Sequence, residues 1–213
     1  MNRLKVGVLA SGRGSNLQSI LEASAAGRLD AEVALVVSDV EDAQALQRAN
    51  RAGVEAIHVP PGRFRSRLDP DAEERVVEAL QERGVEIVAL AGFMRILHDR
   101  FLGAFPRKIV NVHPALLPSF PGLEAQRQAY EYGVKWTGAT VHFVDGGVDT
   151  GPIILQAAVP VLEDDTAETL AARILEEEHR IYPEALQLLA EDRVLVEGRR
   201  VRILPPGSTA GAR

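Results

Sequence analysis

The fold of this chain is best predicted from one stretch, Val110-Asn111-Val112-His113-Pro114-Ala115-Leu116-Leu117-Pro118. Its first residues are apolar and β-branched, which is typical of a buried strand. Because proline cannot donate a hydrogen bond to a sheet ladder, we expect the strand to stop at His113. Asn111 and His113 are two residues apart, so on an extended backbone their side chains leave the same face about 7 Å apart. The stretch therefore predicts an amide beside an imidazole at the carboxyl end of a strand, where open α/β sheets bind ligands. The alternative is that Asn111 caps a turn and His113 is an ordinary buried histidine.

Strand and helix patterns alternate through the chain before this stretch. Strands are predicted at residues 4–10, 31–38, 55–59 and 87–90, and helices at residues 17–25, 43–52 and 71–83. This alternation predicts the α/β class: a doubly wound, mostly parallel sheet with helices on both faces. After the central stretch we expect helices at 123–132 and 166–190, strands at 138–144 and 152–161, and a hairpin of 194–196 with 200–203. The C-terminal third therefore adds antiparallel pieces. We expect one domain over residues 1–204 and a disordered tail over residues 205–213.

Charge and composition exclude several classes of protein. The chain has 24 Lys and Arg against 30 Asp and Glu, and its formal net charge of -6 disfavours a nucleic-acid partner. It has no cysteine, which excludes thiol nucleophiles, disulfides and thiolate metal sites. The apolar run near the N-terminus is too brief for a signal peptide or a membrane span. We expect a cytoplasmic protein that acts on small molecules, without a nucleic-acid or membrane partner.

A glycine-rich loop, Ser11-Gly12-Arg13-Gly14-Ser15-Asn16, joins the first predicted strand to the first predicted helix. Amide groups at such a helix start favour phosphate. The loop lacks the ending of a Walker A motif, and it matches the dinucleotide fingerprint only in Gly12 and Gly14, because Leu17 stands where the third glycine belongs. Asp39, near the end of the second strand, keeps a dinucleotide interpretation open. The remaining alternative is a plain turn with Ser15 or Asn16 as a helix cap.

Three further segments have both a functional and an ordinary interpretation. The run Met94-Arg95-Ile96-Leu97 is either core or a slot for a flat heterocycle. The basic loop at residues 62–67 is either solvated surface or a lid that meets a carboxylate. The loop that contains Asp145 and Asp149 is either a plain hairpin turn or a flexible loop that brings a carboxylate to His113. In the second case we expect the carboxylate to raise the pKa of His113.

Four motifs in order resemble the glycinamide ribonucleotide formyltransferase family, and the resemblance runs from about Val6 to Val196. The motifs are the loop at residues 11–18, the segment at 90–97, Asn111-Val112-His113-Pro114 with Leu116-Leu117-Pro118, and Asp149-Thr150-Gly151-Pro152. The resemblance implies transfer of a formyl group from 10-formyltetrahydrofolate, as co-substrate, to the amine of 5-phosphoribosylglycinamide in purine synthesis. It also implies a cis Leu117–Pro118 bond, no metal, and a monomer or homodimer.

The resemblance also implies a role for each matching residue. Asn111, His113 and Asp149 correspond to the family's catalytic residues. Gly14, Ser15, Asn16 and Glu178 correspond to residues that bind the ribonucleotide. The folate-binding residues implied are Arg67, Met94, Arg95, Ile96, Leu97 and Asn111.

Other functions remain open from the sequence. Methionyl-tRNA formyltransferase and formyltetrahydrofolate deformylase share the formyl-transfer core, although both usually carry an additional domain. A non-catalytic nucleotide-binding module would use Gly12, Gly14 and Asp39. A metal hydrolase would use His113, His142 and Asp149, although their spacing matches no zinc pattern.

Overall fold

The computed structural model describes residues 3–211, which form two compact units, one ending at Asn111 and the other beginning at Val112. The elements that begin in the first unit are β1 (Leu4–Leu9), α1 (Ser15–Ala25), β2 (Ala31–Ser38), α2 (Gln44–Arg51), β3 (Ala56–His58), α3 (Pro70–Glu82), β4 (Ile87–Leu90), α4 (Asp99–Ala104) and β5 (Ile109–His113). Those of the second unit are α5 (Ala125–Tyr132), β6 (Trp136–Phe143), β7 (Ile153–Pro160), α6 (Ala167–Ala190), β8 (Val194–Glu197) and β9 (Arg200–Ile203).

The first unit is built on parallel strands. β1 pairs with β2 and β4, β2 pairs with β3, and β4 pairs with β5, all in parallel. β4 is apolar along its whole length and β1 is apolar apart from Lys5, because helices cover both faces of such a sheet. Val6, Val8 and Leu9 are fully buried. Parallel strands end at a common edge, so the loops after β1, β2, β3 and β4 meet there.

The second unit is built on an antiparallel pair. β6 pairs with β7, and the register shifts between Val141 and His142. Glycine is required at Gly138, since a Cβ atom there would lie 1.8 Å from the carbonyl oxygen of Ala157. α6 begins at the predicted cap, where Thr166 and Thr169 exchange side-chain and backbone hydrogen bonds. β8 and β9 form the predicted terminal hairpin.

The strands β1 to β7 form one sheet in the order β3-β2-β1-β4-β5-β6-β7, with β8 and β9 in a separate small sheet. The predicted fold class, a mostly parallel α/β sheet with antiparallel additions in the C-terminal third, is confirmed. The expectation of a single domain over residues 1–204 stays a prediction.

Two elements differ from the predictions. α4 was not predicted, because six residues are too few to show a helical period. α5 begins at Ala125, two residues later than predicted, because Glu124 takes a left-handed backbone conformation with φ 55°.

Hydrogen bonds join the C-terminal segment to the turn that follows α6, and the expectation of a disordered tail over residues 205–213 stays a prediction. The N–H of Ala210 donates to the carbonyl of Asp192 at 2.7 Å, and the N–H of Gly211 donates to the Asp192 carboxylate at 2.9 Å. Ala210 and Gly211 therefore both contact Asp192 in that turn. Residues 212 and 213 lie outside the described part of the chain.

Within residues 3–211, no helix combines the length and the apolar composition that crossing a bilayer requires.

Candidate active site

His113 ends β5, as the following proline predicts, and its side chain is almost fully buried. Its Nε2 lies 2.8 Å from the carbonyl oxygen of Phe120, and its Nδ1 lies 3.3 Å from Oδ2 of Asp149. Phe120 has φ 53° and Asp149 has φ 54°, so both residues that hold the ring have left-handed backbone. Asn111 lies two residues earlier on the same strand, hence on the same face of β5. The Leu117–Pro118 bond is cis, as the resemblance implied.

Asp149, and not Asp145, is the carboxylate that meets His113. The N–H of Gly122 donates to Oδ2 of Asp149 at 2.8 Å, which fixes the carboxylate from a second side. Asp145 instead accepts hydrogen bonds from the Gly147 N–H and the Thr150 hydroxyl, so it shapes the loop that carries Asp149. The loop is both a hairpin connection and a carrier of the acid, so the two interpretations of it are compatible.

A second histidine contacts the same carboxylate. Nε2 of His142 lies 3.6 Å from Oδ1 of Asp149, and Nδ1 of His142 lies 2.8 Å from the carbonyl oxygen of Phe143. From the sequence, His142 was a candidate only in the metal-hydrolase alternative and had no role in formyl transfer. The backbone carbonyl of Phe120 was also missed, because a main-chain acceptor has no residue type by which to recognise it.

Asp149 acts to raise the pKa of His113, as expected, but it is not the largest influence on that pKa. Burial lowers the pKa, and this effect exceeds the opposing attraction of Asp149 and the hydrogen bond to Phe120, so the pKa lies below the ordinary 6.5. For Asp149, burial favours the neutral acid, but the hydrogen bonds from His142 and Gly122 and the nearby imidazoles outweigh it, so its pKa lies below 3.8. The resting pair at neutral pH is therefore a neutral imidazole beside a carboxylate.

The metal-hydrolase alternative gains no support from this geometry. In residues 3–211 no three His, Asp or Glu side chains are grouped so that they could hold a metal ion. The two oxygens of Asp149 point at one nitrogen each of His113 and His142, at hydrogen-bond or near hydrogen-bond distance.

In the first unit, Gly14 caps α1 from a left-handed conformation with φ 70°. The capping position is Gly14, so the alternative with Ser15 or Asn16 as the cap is wrong. A Cβ atom on Gly14 would lie 2.7 Å from Cα of Ala45, because α2 packs directly on the loop. The N–H of Ala45 donates to the carbonyl of Gly12 at 3.1 Å, and Nε of Arg48 donates to the carbonyl of Arg13 at 2.7 Å. These contacts hold the loop before α1 against α2.

The segment 94–97 is partly exposed apolar surface. Met94 is 58% exposed and Ile96 is 49% exposed, whereas Leu97 is buried. The N–H of Ile96 donates to the carbonyl of Ser66 at 2.8 Å, and Ile96 and Arg67 form a parallel β-bridge. The structure therefore places Arg67 next to the predicted heterocycle slot, with its guanidinium carbon 3.9 Å from the centroid of the Phe64 ring.

The side chain of Arg95 does not extend from this surface. Its Nε donates to Oδ2 of Asp39 at 2.6 Å, and its guanidinium also donates to the carbonyls of Phe64 and Arg65. Asp39 is therefore bound within the protein, which removes the carboxylate that the dinucleotide interpretation needs for a ribose. Of the remaining predicted residues, Glu178 is a buried residue of α6 in the second unit.

Comparison with known proteins shows the family of this chain. The family model described as "Formyl transferase" matches residues 4–186, and the chain belongs to this family. Within it, the chain is a homologue of phosphoribosylglycinamide formyltransferase: it is 43% identical to the Bacillus subtilis enzyme of that name over 188 residues, covering 87% of this chain and 94% of that protein. It also matches the crystal structure of glycinamide ribonucleotide transformylase 1 from Symbiobacterium toebii with a TM-score of 0.91 and 58% identity, covering 96% of this chain and 95% of that one.

Longer relatives contain the same region. The chain is 45% identical over 196 residues to the trifunctional purine biosynthetic protein adenosine-3 of Drosophila melanogaster, covering 91% of this chain. It spans only 14% of that protein.

Proposed function

We propose that the chain transfers the formyl group of 10-formyltetrahydrofolate to the amine of 5-phosphoribosylglycinamide, which yields the formylated ribonucleotide and tetrahydrofolate in purine synthesis. The observation that carries the proposal is the pair of His113 and Asp149 at 3.3 Å, with Asn111 on the same face of β5. The proposal requires no metal. It includes the expectation of a cytoplasmic monomer or homodimer.

The loop before α1 is proposed to bind the ribonucleotide phosphate. Gly14, Ser15 and Asn16 stand where the first N–H groups of the helix and its dipole favour an anion. Glu178 is proposed to bind the same substrate.

The apolar segment Met94, Ile96 and Leu97 is proposed to line the pterin slot, with Arg67 beside it for the folate carboxylate. Forked guanidinium groups suit carboxylates, and the stacking of Arg67 on Phe64 holds this one in place. Arg95 is proposed to contribute through its backbone alone, because its side chain is bound to Asp39. Asn111 is proposed to contact both the folate and the reacting formyl group.

In the proposed reaction the amine nitrogen attacks the formyl carbon, and a tetrahedral intermediate forms with a negative oxygen and a positive nitrogen. The amide of Asn111 donates to that oxygen, a contribution of about 3 to 4 kcal/mol for one well-placed donor. The proton leaves the amine for neutral His113, and it is then delivered to the folate nitrogen as the old carbon–nitrogen bond breaks. No covalent bond to the protein forms.

The environment of His113 suits a relay of this kind. A lowered pKa keeps the imidazole neutral and able to accept a proton. Once it is charged, the carbonyl of Phe120 and the carboxylate of Asp149 both stabilise the imidazolium. General acid–base assistance of this kind contributes about 10² to 10⁴-fold to the rate.

The proposal is tested by incubating the purified chain with both substrates and following the absorbance of released tetrahydrofolate, with the formylated ribonucleotide identified by mass. His113→Ala is expected to lower turnover by about 10² to 10⁴-fold. His58→Ala, on β3, is the control for loss of a histidine and should keep turnover. Release of formate without the ribonucleotide would instead indicate a deformylase.

Asp149→Asn separates chemistry from binding. It removes the charge that stabilises the imidazolium, so we expect a large fall in turnover and a smaller effect on ribonucleotide affinity. Asp99→Asn, an exposed carboxylate on α4, is the control. The opposite pattern, with binding lost and turnover kept, would assign Asp149 to substrate binding.

A further inference from the structure

Asp39 is a buried carboxylate that the proposed reaction does not use. It follows β2, and its side chain is 2% exposed. Its two oxygens have different donors: Oδ1 accepts from the hydroxyl of Ser11 at 2.5 Å, and Oδ2 accepts from Nε of Arg95 at 2.6 Å. A carboxylate suits this arrangement, because both of its oxygens accept hydrogen bonds, whereas an amide has only one oxygen that can accept.

Ser11 connects this carboxylate to two binding segments. It is the first residue of the loop that leads to Gly14. Its N–H donates to the carbonyl of Gly92 at 3.0 Å, and its hydroxyl oxygen accepts from the N–H of Met94 at 2.9 Å. One hydroxyl group therefore bonds the proposed phosphate loop to the first residue of the proposed pterin slot.

Arg95 connects the carboxylate to the third segment. Its Nη1 donates to the carbonyl of Phe64 at 3.0 Å and also to the carbonyl of Arg65. These residues belong to the basic loop that carries Arg67. The Asp39 carboxylate thus joins, through two partners, the loops that follow β1, β3 and β4.

We propose that Asp39 is a positioning residue that acts through Ser11 and Arg95 and holds the phosphate loop and the folate slot in one arrangement. The inference rests on the proposed function, because that function assigns the ligands to these loops. Since the same carboxylate orders both loops, binding of either ligand stabilises the arrangement that the other one needs. The two ligands therefore bind with positive cooperativity.

The test measures binding without turnover, using 5-phosphoribosylglycinamide and tetrahydrofolate by calorimetry, each alone and in the presence of the other. Asp39→Ala is expected to raise the Kd of both ligands about tenfold or more, since hydrogen bonds to a buried charge are lost at both loops. It should also reduce the cooperativity between the ligands. Asp39→Asn, which keeps the side-chain volume, should weaken the binding of both ligands less than Asp39→Ala does.

Asp165→Ala is the matched control. Asp165 is likewise buried, with its side chain 3% exposed and 2.7 Å from Arg173, but it lies before α6 in the second unit. This variant loses a buried ion pair of the same kind, and it should leave both Kd values within about twofold of the parent. Circular dichroism establishes that each variant is folded at the temperature of measurement.

The route through Ser11 and Arg95 is tested by double variants. Ser11→Ala combined with Asp39→Ala should weaken ribonucleotide binding no more than the stronger single variant, because Asp39 acts through Ser11. Arg95→Gln should weaken tetrahydrofolate binding and affect the ribonucleotide less. The inference would be overturned if the losses of affinity in Ser11→Ala and Asp39→Ala were additive, or if Asp39→Ala weakened the binding of one ligand only. It would also be overturned if Asp165→Ala lost as much affinity as Asp39→Ala, or if the parent protein bound the two ligands without cooperativity. A parent protein that shows turnover but no cooperativity contradicts this inference alone, whereas one that shows no turnover contradicts the proposed function.

Discussion

The imidazole of His113 lies between two oxygen acceptors, and yet it is harder to protonate than a histidine in water. Asp149 and the Phe120 carbonyl favour the charged ring, whereas burial favours the neutral ring, and burial has the larger effect. The consequence is functional, because a relay must both accept and release its proton. An imidazole with a strongly raised pKa would remain charged and could not take the proton from the amine.

We expect the NMR titration of the His113 ring to show a midpoint below 6.5. In Asp149→Asn the midpoint should fall further, because the attraction that raises the pKa is lost. Turnover of the parent should decrease as the pH falls through the same midpoint. A midpoint for His113 above 6.5, or a rise in Asp149→Asn, would contradict this account of the site.

At the scale of the element, the start of α1 depends on the backbone of one glycine. Gly14 has φ 70° and lies against Ala45 of α2. An alanine at such a backbone conformation costs about 1 to 2 kcal/mol, and the contact with Ala45 adds to this cost. The backbone strain and the contact with Ala45 would both distort the loop that is proposed to bind phosphate.

Gly14→Ala is therefore expected to weaken ribonucleotide binding more than tetrahydrofolate binding, and to lower the free energy of unfolding by more than about 1 kcal/mol. Gly53→Ala is the matched control, because Gly53 has φ 72° but no atom within 4 Å of an added Cβ. It should show the backbone cost alone and keep ribonucleotide affinity. Calorimetric titration and urea unfolding measure the two quantities. Equal effects of the two variants on affinity would mean that the contact with Ala45 does not shape the site.

The sequence was most informative where the structure of a segment depends on residues that are neighbours in the chain. Pro114 stops β5 at His113, Thr166 begins α6, and the alternation of strands and helices predicts the parallel sheet. It was least informative where side chains meet across the fold. From the sequence, Asp39 was a candidate ribose ligand. Its contacts with Ser11 and Arg95 could not be predicted, because they depend on the order of β1, β2 and β4 in the sheet. The choice between Asp145 and Asp149 depended on loop geometry in the same way.

For the whole molecule, the buried charges make stability depend on pH. Hydrogen bonds from Arg173 lower the pKa of Asp165 far below its usual range, and the pKa of Asp149 is also lowered. A carboxylate with a lowered pKa stabilises the fold above its unfolded pKa of 3.8, and this stability is lost as the pH falls through the folded value. His113 also makes the fold less stable as the pH falls, but at higher pH. Its pKa is lowered in the folded protein, so below 6.5 the unfolded chain binds the proton more readily than the folded protein does.

We expect the free energy of unfolding to decrease in two steps as the pH falls, first below 6.5 through His113 and then below 3.8 through Asp149 and Asp165. Urea unfolding at a series of pH values and constant ionic strength measures this. In Asp165→Asn the second step should be smaller, and in His113→Ala the first should be reduced. Stability that is constant or rises toward acid would show that these groups are not held as described.

The left-handed backbones of Phe120 and Asp149 have a consequence for any attempt to improve this protein. Glycine adopts this conformation most readily and asparagine and aspartate do so fairly often, whereas it is strained for a bulky residue such as phenylalanine. A library screened only for heat resistance would therefore tend to collect glycine or asparagine at Phe120. At Asp149 any gain in backbone energy would be offset by the loss of a carboxylate that stabilises the fold, and the acid beside His113 would be lost together with turnover.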